Sequence, residues 1–382
     1  MKIAPSSTSF ACLPTLPPEI IQVVIGFLDR QLIQDLAQRQ RSLWACCLLS
    51  RAWYSGTVKA LYRWPLLTGR NFDHFIRTLC PAVHSDTRAI GLERLVVDLD
   101  MGALAYESSK HLTARLLRRA RHSLETFVAP ARSFSRAALV PISKSVKLHS
   151  LDLSHDAYGF DLRDLLRYVH DLEHLQFLSL PQDALGCMRD SPRRLALQWP
   201  PRLTHLQLNG RLTVDIPDWD ALVAGFPPSL AALDFVGMKD MDLMWTLKHS
   251  TATATQIKRI VIGEPATASD CELTGLFRVF AGLVRLSMPM SAWKPGEFGQ
   301  RPVACKMERL QLTRGQGKQT APAPGAVLNF AKSLPALRRI DLEGESFQGN
   351  GQAGLRDLEE LLRLLAGRDR ADSAFEAGVF EI

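Results

Sequence analysis

The sequence lacks the commonest short patterns that announce a reaction. Its 382 residues contain no Gly-x-Ser-x-Gly nucleophile turn, no glycine loop of phosphate-cradling spacing and no His-Glu-x-x-His pair. Gly315-Gln-Gly317-Lys318 looks like a fragment of such a loop, without the required spacing or strand–helix setting. No catalytic residue, metal ligand or cofactor is therefore expected. The seven cysteines (12, 46, 47, 80, 187, 271 and 305) are odd in number, scattered, and form no Cys-x-x-Cys. That pattern argues against a disulfide framework and a zinc site, and it fits a reducing compartment, cytoplasmic or nuclear. No apolar run approaches bilayer length, and the first eighteen residues have no apolar core of the secretory kind. A net charge of +7 spread over so long a chain does not by itself imply nucleic acid. The histidines are isolated and flank apolar positions. The partners expected are proteins, with no membrane and no nucleic acid.

What is present is hydrophobic patterning. With 46% apolar residues the chain can bury a large core. Residues 1–14 are rich in Ser, Thr and Pro and read as a flexible lead. Pro17, Pro18 and Glu19 then make a good helix opening, because proline loses nothing in the first turn and a carboxylate suits the positive end. Ile20, Ile21, Val24, Ile25 and Leu28 recur at helical spacing as one apolar stripe. After a polar interval at 30–41, Leu43, Cys46, Cys47, Leu49 and Trp53 form a second stripe, and Ala60 and Leu61 begin a third. Three short helices within 15–64 cannot build much of a core. Such a module needs a partner or a neighbouring domain. Residues 65–91 read as a junction, with a helical piece at 72–79 stopped by Pro81.

Two motifs in this module carry a resemblance. Leu16-Pro17-x-Glu19-Ile20 opens the first helix, and Cys46-x-Leu48-x-Ser50-Arg51-x-Trp53 follows in the expected order. The module resembles an F-box, in the form common among fungal proteins. The resemblance implies docking onto the Skp adaptor of a cullin–RING (SCF) ubiquitin ligase core. Leu16, Pro17, Ile20, Ile21, Ile25, Leu28, Leu49 and Trp53 match motif positions, some meeting the adaptor and others holding the module together. The alternative is a helical cap on a repeat scaffold with no link to ubiquitin. An adaptor leaves the stripe at 16–28 open, whereas a cap buries it.

From Leu92 onward one pattern, L-x-x-L-x-L with apolar replacements, returns ten times. It begins at Leu92, Leu124, Leu148, Leu175, Leu203, Leu230, Ile257, Leu283, Met307 and Leu337. Helical segments are expected between the strands, at 162–169, 219–226, 243–248, 273–280 and 327–332. A short strand and a helix per unit of 20 to 30 residues is a solenoid signature. The units resemble leucine-rich repeats of the ribonuclease-inhibitor kind, which implies parallel strands on a concave face and helices outside. They depart from that family in lacking the asparagine after the strand; Asp156, Asp183, Arg211, Pro265 and Gly315 stand near its place. The solenoid is expected over 92–366, as about ten irregular repeats, with the stretch 130–147 the least regular. Leu355, Leu358, Leu361, Leu362 and Leu365 mark a closing amphipathic helix, and the tail 367–382 is expected to fray. The fold class expected is α/β: a three-helix F-box module followed by this solenoid.

In each repeat the fourth and sixth pattern positions face the core, and the third and fifth face the open side of the sheet. Read down the solenoid, the third position is Arg94, Thr126, Ser150, Phe177, His205, Ala232, Arg259, Arg285, Arg309 and Arg339. Four successive arginines on strands about 4.8 Å apart form a ladder of like charge. Asp341 and Glu343 can relieve its end; Val261, Ser287 and Gln311 cannot. Arg259, Arg285, Arg309 and Arg339 are thus candidate contacts for a protein substrate of acidic or phosphorylated character. The plainer reading is a solvated basic stripe. Arg115, Arg118, Arg119, Arg121 and His122 form a second basic cluster, read as a solvated helix face with Leu112, Leu116 and Leu117 beneath. The earlier half of the open face, with Asp152, Ser179, Gln207 and Asp234 at the fifth position, is more neutral.

Overall fold

The computed structural model describes residues 16–81, 91–104, 110–132, 134–155, 161–182, 184–185, 197–210, 216–237, 240–263, 274–290, 305–314, 323–343, 351–368 and 376–381. The expected N-terminal lead, the turn at 315–318 and the five residues named for the asparagine position lie outside these stretches.

The chain opens with three helices, α1 (Pro18–Gln31), α2 (Leu36–Cys47) and α3 (Arg51–Arg63). Each begins as its sequence dictates. Pro17 and Pro18 occupy the α1 entry with Glu19 in the first turn. Asp35 accepts from the Gln38 N–H at 2.9 Å to cap α2, and Ser50 accepts from the Trp53 N–H at 3.3 Å to cap α3. The polar interval expected at 30–41 is largely structured, because α2 starts within it at Leu36. Helix α4 (Phe72–Leu79) follows and buries Phe72, Ile76 and Leu79.

Eleven strands then form one parallel sheet in sequence order. They are β1 (Asp98–Asp100), β2 (Thr126–Val128), β3 (Ser150–Asp152), β4 (Phe177–Ser179), β5 (His205–Asn209), β6 (Ala232–Val236), β7 (Arg259–Ile262), β8 (Arg285–Pro289), β9 (Arg309–Thr313), β10 (Arg339–Leu342) and β11 (Gly378–Glu381). Among the described residues eight helices separate or follow them: α5 (Lys110–Ala120), α6 (Arg136–Ser143), α7 (Leu162–Val169), α8 (Ile216–Ala224), α9 (Asp240–His249), α10 (Thr274–Val279), α11 (Pro324–Ser333) and α12 (Gly351–Ala366). The result is an α/β solenoid of the leucine-rich-repeat-like type behind an N-terminal helical region. Parallel strands stack about 4.8 Å apart whereas packed helices need 8–10 Å, so the sheet takes the inner, concave side.

One core runs the length of the sheet. Leu99, Phe127, Leu151, Leu178, Leu206, Leu233, Ile260, Leu286, Leu310 and Ile340 are register partners from strand to strand, and all are buried. The sixth-position residues, from Ala129 and Leu153 to Leu312 and Leu342, are buried as well. Period-2 alternation thus sends one set of side chains inward and leaves the other on the concave face.

Three expectations need correction. The first repeat starts at Val96, not Leu92: Asp98 pairs with Thr126, so Asp98 and not Arg94 holds the third position. Leu92–Leu95 is instead a 3-10 turn entered through Gly91 at φ 79°, and one such turn brings Leu92 and Leu95 together as a strand would not. Within the tail expected to fray, Gly378–Glu381 is ordered as β11 and pairs in parallel with β10. Finally, one repeat does carry an asparagine at the strand end. Asn209 is buried and donates to the Ser179 hydroxyl at 2.9 Å and the Leu180 carbonyl at 2.6 Å. Elsewhere the neighbouring layers are joined differently. Asp220 on α8 accepts from Ser250, Thr251 and Ala252 beyond α9. Arg278 on α10 donates to the carbonyls of Leu247 and Lys248 in the last turn of α9 and of Ser250 just beyond it. Arg368 likewise donates to the carbonyls of Ala331, Leu334 and Leu337 at and beyond the end of α11.

Candidate functional site

The N-terminal helices have a small core of their own, built on Ile21, Ile25 and Leu43 with Leu28, Cys46, Trp53, Ala60 and Leu61 packed around it. Gly56 lets α3 approach α1 closely; a Cβ there would lie 2.9 Å from Ile21 Cγ2. Arg39 locks the bundle from within. It is buried, its Nε donates to Asp29 at 2.6 Å, and its terminal nitrogens donate to the Ala60 and Trp64 carbonyls at 3.0 and 3.1 Å. The guanidinium also lies 5.7 Å from the Trp64 ring centre. As part of the polar interval, Arg39 gave no sign in the sequence of being interior.

The outer side of α1 is open. Ile21 and Ile25 are 1% and 4% exposed, yet Ile20 and Phe27 on the same helix are 46% and 56% exposed. A single turn explains the contrast: residues one apart point about 100° apart, so what reads in sequence as one stripe is two faces. Of the residues matched to the motif, Leu16, Pro17, Ile20 and Leu49 are exposed; Ile21 and Ile25 are interior; Leu28 and Trp53 are half-buried against that interior. Sequence reading missed Val23 and Phe27, which with Leu16 and Ile20 follow a 4-3-4 spacing down one face. Trp44, Leu48 and Ile33 are also exposed.

The inner side of the module meets the solenoid. Val58, Tyr62 and Phe75 pack on the main core, Tyr62 and Phe75 stack with ring centres 6.3 Å apart, and the Val97 N–H donates to the Arg63 carbonyl at 3.1 Å. The module therefore covers the first repeat while its outer apolar face stays free.

On the concave face the four arginines are brought together in register: Arg259 beside Arg285, Arg285 beside Arg309, Arg309 beside Arg339. At the far end Asp341, fully buried, accepts from Arg309 Nε and from Arg339 Nε, the latter at 2.8 Å. Arg339 also lies 3.9 Å from the Phe380 ring centre, contributed by β11. Toward the middle, Arg259, Arg285 and Arg309 line a cavity of about 220 Å3 together with Ser287 and Gln311. The earlier half of the face is internally bonded: His205 Nε2 lies 2.8 Å from Asp234, and Phe177 meets the His205 ring edge-on.

Other candidates resolve into structure. In α5, Leu116 and Leu117 are buried beneath exposed Arg115 and Arg118, and Arg115 donates to the Cys80 carbonyl. Burial pushes the thiols of Cys46, Cys47, Cys80 and Cys305 above their ordinary range, which makes them poor nucleophiles. The run His170-x-x-Glu173-His174 has the spacing of a metalloprotease variant. It lies in a turn after α7, where the two imidazoles share no helical face, and His170 engages the Leu166 carbonyl and Asp171. Among the described residues no helix is long and apolar enough to cross a membrane.

These features define a class: a repeat solenoid with a charged concave face, preceded by a helical module with an open apolar face. Comparison with known proteins narrows it. The chain is 24% identical over 304 residues to F-box protein YDR306C of Saccharomyces cerevisiae, covering 77% of this chain and 61% of that protein. It is 31% identical over 187 residues to Protein pof5 of Schizosaccharomyces pombe, covering 49% of each. The match thus spans between half and three-fifths of these relatives. No protein-family model matches the chain. The named relative and the motif residues at 16–53 together support an F-box protein.

Proposed function

We propose that this chain is a substrate-recognition adaptor of a Skp–cullin–F-box ubiquitin ligase, residing in cytosol or nucleus. The observation that carries the reading is the outer face of α1, apolar and exposed over a module whose own core is already complete. A helix that needed only to cap the solenoid has no use for a second apolar face. On this reading Leu16, Pro17, Ile20 and Leu49 meet the Skp adaptor, joined by Val23 and Phe27, while Ile21, Ile25, Leu28 and Trp53 shape the surface from beneath. Residues 15–64 dock, 65–91 join, and the repeats hold a protein substrate of acidic or phosphorylated character against Arg259, Arg285, Arg309 and Arg339. The chain makes and breaks no bond. It contributes proximity, and the chemistry belongs to other subunits.

Co-purification with the host's Skp adaptor tests this. Wild type should be retained, and a Leu16→Ala/Pro17→Ala double variant, folded by circular dichroism, should not. Loss of an interface aromatic costs about 2 kcal/mol or more, so Phe27→Ala should weaken binding about 30-fold. The contact of α3 and α4 with the first repeat favours a second reading, a repeat scaffold with a helical cap. A folded wild type that ignores the adaptor would leave that scaffold standing.

A further inference from the structure

We propose that the outer face of α5 and α6 docks an acidic segment of a partner protein. This goes beyond the adaptor reading and does not rest on it. The basic surplus of the chain is concentrated in one place. Residues 110–149 hold nine of its 46 lysines and arginines and one of its 39 carboxylates, Glu125. That surplus of eight exceeds the +7 of the whole chain, so everything outside 110–149 is within one charge of neutral. Helix α5 buries Leu116, Leu117 and Ala120 and exposes Arg115, Arg118 and His122. Helix α6 buries Leu139 and Ile142 and exposes Arg136, Val140 and Lys144, with Val146 and Lys147 exposed in the turn beyond. Thr126 and Ser150 pair in register, and α5 packs on α6, so the C-terminal ends of the two helices lie side by side on the outer surface.

Other outer helices carry carboxylates among their cations. In α12 Glu359 lies 3.8 Å from Arg363, and Glu360 reaches Lys332 of α11 at 2.6 Å. In α7 Asp164 lies 3.3 Å from Arg167. Neither α5 nor α6 contains an acidic residue. Asp164 reaches back to Arg136, Arg115 donates to the Cys80 carbonyl, and Arg121 donates to the His122 ring at 3.1 Å. Among the described residues Arg118, Lys144 and Lys147 make no ion pair, although the next layer brings Asp171 and Glu173. Two helix C-termini supply about −0.5 each and so offset about one charge of the surplus. The rest repel across helices about 8–10 Å apart, about one Debye length, and an acidic cover removes that repulsion. The side chains also select the kind of acid. Six of the nine cations are arginine, whose fork takes a carboxylate in two parallel bonds. Arg115, Arg118 and His122 follow i, i+3, i+7, the spacing at which glutamates line one side of a helix. Nucleic acid is disfavoured because, among the described residues, this face exposes no aromatic ring for a base to stack on; Phe127 and Phe134 are buried. A membrane is disfavoured because the large apolar side chains exposed here are two valines, without an aromatic anchor.

Fluorescence anisotropy of a labelled decaglutamate peptide titrated with the full chain tests the proposal. Wild type should bind at low salt and release the peptide as salt rises. Arg118→Glu/Lys144→Glu should weaken binding by about ten-fold or more, since it removes two attractions and adds two repulsions. Both side chains are exposed, so the double variant should remain folded by circular dichroism. Arg118→Gln/Lys144→Gln should fall between the two. Wild-type affinity in the charge-reversed variant would overturn the surface and send the peptide elsewhere on the molecule. Absence of wild-type binding would overturn it too, as would capture of a single-stranded oligonucleotide or of phosphatidylserine vesicles without the peptide. None of these measurements includes the Skp adaptor, so failure of the docking reading leaves their outcome intact.

Discussion

Arg39 and Asp220 show how single polar residues hold a fold whose sequence advertises only leucines. Arg39 ties three parts of the module through bonds to Asp29, Ala60 and Trp64. Arg39 is buried but Asp29 is half-exposed, so losing the cation costs less than the ~3–5 kcal/mol of a fully buried pair. Arg39→Met should therefore lower the thermal midpoint of the full chain and, measured separately, release the adaptor. Asp220 works between repeats. Its burial pushes the carboxyl pKa up, but the bonds from Ser250, Thr251 and Ala252 outweigh that and hold it below its ordinary range. A group depressed in this way contributes stability above its unfolded pKa, near 3.9, and loses it as the pH falls through the folded value. The gap in melting temperature between wild type and Asp220→Asn should accordingly be open at neutral pH and close as the pH is taken down through that range. Neither residue could be singled out from sequence. Each acts on backbone atoms or side chains at least ten residues away, and no local periodicity records that.

Helix α1 was legible in its existence but not in its division of labour. The spacing of Ile20, Ile21, Val24, Ile25 and Leu28 announces a helix, but it takes a packed neighbour to say which side is interior. Ile25→Ala should cost about 2–5 kcal/mol by opening a cavity in the small core. Phe27→Ala should leave thermal stability nearly unchanged and act only on partner binding. Strands were read more surely, because alternation leaves two faces and the leucines fix which is inner; the exception is β1, where Leu92 offered a false start. At α10 the constraint is closeness. A Cβ on Gly275 would stand 2.7 Å from backbone atoms of Leu247 and Lys248. Gly275→Ala should push α10 from the end of α9, pull Arg278 off its carbonyls and cost about 1–3 kcal/mol. A urea midpoint would show it.

At the scale of the molecule the two ends of the sheet differ. The helical module sits on the first repeat, whereas β11 pairs with β10 and is itself the last strand. An edge strand presents unpaired backbone groups, and a short one presents few. Deleting 376–382 should move that edge to β10 and remove the Phe380 ring from Arg339, and a lower thermal midpoint of the truncated chain would show it. The tail hid this role because four residues with a single outward aromatic carry no repeat signature. The solenoid itself was plain in sequence, since its repeats reinforce one another, and the arginine ladder followed once the third positions were aligned. What alignment could not reveal was that Asp341 gathers the last two rungs, Arg309 and Arg339.

The constant register of β7 to β10 also makes the concave face a ruler. Its divisions are about 4.8 Å apart, whereas an extended segment laid along it shows same-side residues about every 6.6–6.8 Å. The two scales slide past each other like a vernier: when one acidic group meets a rung, the next on that side falls between rungs. Such a surface counts poorly and locates well, favouring one correctly placed charge over a dense run of them.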